Sequence, residues 1–85
     1  MKARRLIADA ELDLETRSVA LKAFDVGWAE IAQNFGDIPA DIESGRMHLA
    51  HAILIVARAG GQDPERMKTE ALHVMALAYK GLGRA

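Results

Sequence analysis

Between residues 14 and 35 large apolar side chains return every three or four positions. Leu14, Leu21, Phe24, Trp28, Ile31 and Phe35 share one arc when the chain advances by about 100° per residue. The spacing predicts an amphipathic helix over 14–35. Asp13 is placed to cap its first turn, Glu15 complements the helix dipole, and Gly36 suits the left-handed residue that ends a helix. Gly27 is the one discordant position: an interior glycine costs about 1 kcal/mol relative to alanine. It implies either the close approach of another helix or a kink.

A second helix enters at Asp37-Ile38-Pro39, since proline is accommodated in a first turn, and it closes at Gly60-Gly61 after Arg58. Its main stripe is Ile42, Leu49, Ala50, Ile53, Val56 and Ala57, with the stem of Arg46 along one edge. A third begins at Asp63-Pro64 and turns Met67, Ala71, Val74, Met75, Ala78 and Leu82 to one side before Gly81 and Gly83. No run alternates like a strand. Short connections return successive helices antiparallel, so the expected architecture is all-α: a small antiparallel three-helix bundle in one domain over residues 1–85. Residues 1–12 are expected to form an N-terminal arm or short helix, docked through Leu6, Ile7 and Leu12.

Composition narrows the function classes. The 85 residues carry 11 basic and 12 acidic side chains, so the overall field invites neither a polyanion nor an anionic membrane. The absence of cysteine removes disulfides, thiolate nucleophiles and cysteine-based metal sites, and suits a reducing cytoplasm, the expected location. The apolar run after the basic start is too short for a secretory signal, and no stretch approaches the roughly 20 residues of a membrane span.

Chemistry-bearing constellations are sparse. Ser18, Ser44, Thr16 and Thr69 lack the context of an activated nucleophile, and Asp37, Asp41 and Glu43 gather at a helix start, where negative charge is stabilising without catalysis. No catalytic, cofactor or metal residue is assigned, and the expectation is a protein that is not an enzyme. His48 and His51 lie three apart on the second helix and supply two potential ligands, one short of the usual three protein ligands of a catalytic zinc. They are read as exposed or interface histidines that share a face.

The run from Trp28 to Gly36, followed by Asp41-Ile42-Glu43-Ser44, resembles the helix-turn-helix of sigma-factor region 4 and related regulators. In that family the next helix enters the major groove, with basic and hydroxyl side chains on phosphates and base edges. The resemblance implies nucleic-acid contacts from Ser44 and Arg46, joined by Lys2, Arg4 and Arg5 of the arm. The sequence departs from the pattern where it carries Glu43 and Gly45 in place of basic residues and Arg46 in place of a core leucine. An acidic side chain toward phosphate opposes the counterion release that drives DNA affinity. A break near Gly27 would supply the short first helix the motif needs. The chain is also similar to the small helical proteins of bacterial genomes, a likeness that implies no activity.

The leading expectation is therefore a protein-interaction module. Met47, Leu54 and Ile55 on the second helix, with Leu72, Leu77 and Tyr79 on the third, fall outside the main stripes and are too large to be left wet without consequence. They are the candidate interface. The expected partner is a second copy of the chain or another protein, with nucleic acid as the alternative and no small-molecule substrate or membrane indicated.

Overall fold

A computed structural model describes residues 2–60 and 63–82, with side chains through residue 77. Every element in it is helical: α1 (Lys2–Ala8), α2 (Leu14–Ile31), a 3-10 turn (Ala32–Phe35), α3 (Pro39–Arg58) and α4 (Pro64–Leu82). Among the described residues there is no strand, and no helix is long and apolar enough to cross a membrane. The Cα radius of gyration, 12.3 Å, is close to the roughly 12 Å expected of a folded chain this long.

The helix starts follow from local chemistry. Asp13 sits in extended conformation and its carboxylate accepts the Thr16 amide at 2.7 Å. Pro39 stands at the start of α3, and Asp63 accepts the Glu65 amide at 3.1 Å ahead of α4. At the other end of α2 the expectation of one continuous helix to residue 35 needs correction. The α-helix stops at Ile31 and the chain tightens into the 3-10 turn before Gly36. Gly36, at φ 66° and ψ −150°, occupies a region that a residue with a Cβ rarely enters, and this reverses the chain toward α3.

Gly27 marks a close approach and not a kink. The 18 residues of α2 pass through it unbroken, and a methyl group there would stand 3.2 Å from Lys68 Cγ and 3.5 Å from Leu49 Cδ2. α4 thus lies against α2 where α2 has no side chain. Over this crossing Lys68, its side chain only 12% exposed, reaches Glu30 at 2.7 Å and Glu65 at 3.4 Å. The hydrogen bond to Glu30 is the main reason the Lys68 ammonium titrates above its ordinary value.

α3 is the hub, in contact with α1, α2, the 3-10 turn and α4. The core runs along it through Leu49 and Ile53, both fully buried with Phe24 of α2 and Ile7 of α1. The N-terminal segment is accordingly a fourth packed helix. Ala3 and Ile7 are fully buried, and α1 touches α2 and α3 but not α4. A seven-residue helix does not hold its shape alone in water, so this burial stabilises it. Two arginines assist: Arg4 pairs with Asp25 at 2.7 Å, and Arg17 donates to the carbonyls of Ala10 and Leu12 at 3.1 and 3.0 Å. The second pair ties the α1–α2 connection to the body of α2.

Candidate functional site

Two apolar clefts flank α4 and meet at Met75. The first, about 120 Å³, lies between α3 and α4, with His48, His51 and Ile55 on one wall and Val74 on the other. The second, about 200 Å³, lies between α4 and the end of α2, where Ile31 and Phe35 face Leu72 and Ala76 with Asn34 at the rim. Met75 itself is buried and floors both. Around the first cleft the surface is apolar as well. Ile55 is 57% exposed, and Leu77, one turn beyond Val74, is 58% exposed. The other large apolar side chains left in water, Leu14, Val26 and Ile38, lie outside both clefts, as scattered surface residues commonly do.

The six candidate interface residues divide. Ile55 and Leu77 are exposed on the α3/α4 side. Met47 and Leu72 are half-buried and pack on the core, Leu72 also lining the second cleft. Leu54 is a correction: only 5% exposed, it belongs to the intrachain core. α1 packs against both α2 and α3, so α3 has one more neighbour within the chain than a three-helix bundle with a loose arm would give it. Tyr79 lies outside the residues whose side chains are described. Val74 and Met75, assigned to the core stripe by periodicity, border the clefts as well; the three- and four-residue spacing of His48, His51 and Ile55 is a signal that could have found this face.

The residues of the nucleic-acid reading are engaged differently. Arg46 folds back over Trp28, its guanidinium carbon 5.4 Å from the ring centroid, and Trp28 in turn stacks on Phe35 with centroids 5.3 Å apart. Gly45 makes room for this corner, since a methyl group there would stand 2.8 Å from Phe35 Cε1. Arg4 is paired with Asp25, while Lys2, Arg5 and Ser44 are exposed. Glu43 is half-buried, with one carboxylate oxygen enclosed and no hydrogen-bond partner. Because α2 does not break at Gly27, the short first helix of the motif is not formed. Arg46 and Gly45, the departures from the family pattern, are used inside the fold.

Among the described residues, no group of three or more His, Cys, Asp or Glu side chains is placed to hold a metal ion. His48 and His51 remain a pair, and His73 lies exposed on α4 apart from them. No family model, no curated protein and no solved structure matches the chain.

Proposed function

We propose that this chain is a cytoplasmic helical interaction module that pairs with a second copy of itself through the α3/α4 face. The observation that carries the reading is the exposed apolar surface of Ile55 and Leu77 beside a cleft whose walls are otherwise almost entirely carbon. A two-fold contact places the same patch on both partners, so a projecting Ile55 and the neighbouring cleft on one copy can each meet the complementary feature on the other. A standard interface needs about 800 Å² from each side, within reach of two helices packed ridge into groove. In this reading the three long helices form the bundle proper and α1 is its arm, closing the opposite flank.

Sedimentation velocity at micromolar concentration tests it. The expected species is a dimer of the 9.2 kDa chain, and Ile55→Asp should return it to monomer with its helical circular dichroism unchanged. A wild-type chain that stays monomeric to hundreds of micromolar would overturn the self-pairing and leave the face to a different protein.

A further inference from the structure

From Asp41 to Arg58 the outward side of α3 is a single stripe. Its exposed positions are Asp41, Ser44, His51, Ile55 and Arg58, and half-buried His48 completes it. The intervals run three, four, three, four and three residues, the alternation that keeps a seam of side chains turned toward one neighbouring helix. Two properties of the stripe bear on what that neighbour is. The intervals read the same from either end, with their centre between Leu49 and Ala50, and the two ends carry opposite charge. Asp41 and Arg58 stand about 25 Å apart at the rise of an α-helix, and among the described residues neither takes part in an ion pair.

We propose that a second copy lies antiparallel along this stripe, α3 against α3, and that Asp41 of each copy pairs with Arg58 of the other to set the register. A two-fold axis through the centre of the stripe produces that match at both ends at once. It also brings Ile55 of each copy over Ser44 of the other, a large side chain against a small one. A parallel arrangement would set Asp41 on Asp41 and Arg58 on Arg58, and like charges oppose it at both ends. The stripe is therefore complementary in charge to itself in the antiparallel orientation and not in the parallel one, and this complementarity is the reason to place a second copy of the chain on it. The inference rests on self-pairing through the α3/α4 face and adds its orientation and the two residues that select it. Ile55 supplies apolar contact, whereas the charges at the ends act on register and on the choice of partner.

Sedimentation of the full chain at low ionic strength, with charge-reversed variants beside the wild type, separates the two claims. Asp41→Arg or Arg58→Asp alone should raise the dimer dissociation constant about tenfold or more, since either sets like charges together at both ends of the contact. An equimolar mixture of the two variants, and the doubly reversed chain, should return to near the wild-type constant, with the mixed dimer in excess over both homodimers by native mass spectrometry. Each charge also suits the helix end on which it stands, but a weakened helix is not repaired by mixing. Lys22→Asp, the same change of charge at an exposed residue of α2, should leave the constant unaltered. Single reversals that pair like wild type, losses that neither the mixture nor the double reversal recovers, or an equal loss from Lys22→Asp would overturn the register and keep the self-pairing. A wild-type chain that is monomeric throughout overturns both.

Discussion

Gly45→Ala sets two effects of opposite sign against each other at a position where both can be sized. Alanine is favoured over glycine within a helix by about 1 kcal/mol, and α3 is an uninterrupted helix around residue 45. Against this, the new methyl would stand 2.8, 2.9 and 3.0 Å from three ring carbons of Phe35, where carbon atoms prefer about 3.5–4.0 Å. The ring is a rigid plate and cannot yield by bending its tip. It is stacked on Trp28 at 5.3 Å and hangs from the 3-10 turn, so relief requires the turn or the stack to move. Overpacking of this kind costs about 1–3 kcal/mol, which exceeds the propensity gain over most of its range. A net loss of about 1 kcal/mol is expected, seen as a fall in Tm of about 4–8 °C for a domain of this size. Urea unfolding followed by Trp28, the single tryptophan of the chain, and by circular dichroism would measure it. In a Phe35→Ala background the clash is absent and the same glycine replacement should stabilise by about 1 kcal/mol. Equal stabilisation in both backgrounds would refute the reasoning, because Gly45 would then be making no room for the ring.

Ile7→Ala should destabilise by about 2–5 kcal/mol in chemical unfolding, as expected for a fully buried side chain, whereas a change below 1 kcal/mol would show that α1 is not part of the cooperative unit. The two perturbed titrations place limits on the pH range of stability. The Thr16 backbone amide holds the Asp13 carboxyl below its usual 3.8, so this cap contributes above pH 3.8 and is lost as pH falls through the lower folded value. The Tm difference between wild type and Asp13→Ala should accordingly shrink below pH 3.8. Lys68 is raised above 10.5, so its contribution is complete below pH 10.5 and disappears as pH climbs through the folded value. Lys68→Met should show its largest Tm difference from wild type at neutral pH and a shrinking one in strong alkali.

The helix starts were legible because they depend on neighbours in sequence: Asp13, Pro39 and Asp63-Pro64 act on the turn that follows them. The all-α class was legible for the same reason, since periodicity is local. Facts that depend on long-range contact were not. Glycine at 27 allowed a kink or a close approach, and only the position of Lys68 and Leu49 decides for the approach. The end of α2 was placed four residues late because Phe35 keeps the helical spacing while its ring serves Gly45 on another element. Of the candidate interface, Ile55 and Leu77 lie exposed. Leu54 lies in the core, and periodicity on α3 could not reveal that a short helix from the start of the chain packs against α3 as well.

That short helix is what gives the remaining face its meaning. The apolar arc of α3 is too wide for one neighbour, and α1, α2 and α4 each cover part of it. α1 closes the flank away from α4 with Ala3 and Ile7, neither of which is left exposed. α2 meets α4 over Gly27, where the missing side chain lets the two backbones approach and Lys68 seals the crossing to Glu30. Among the described residues the outer side of the α3/α4 seam receives no such cover, and there the chain places Ile55, Leu77 and two histidines. A chain that buries apolar surplus on one flank of α3 with the seven residues of α1 leaves Ile55 and Leu77 exposed on the other, and this asymmetry is the ground on which the proposed self-pairing rests.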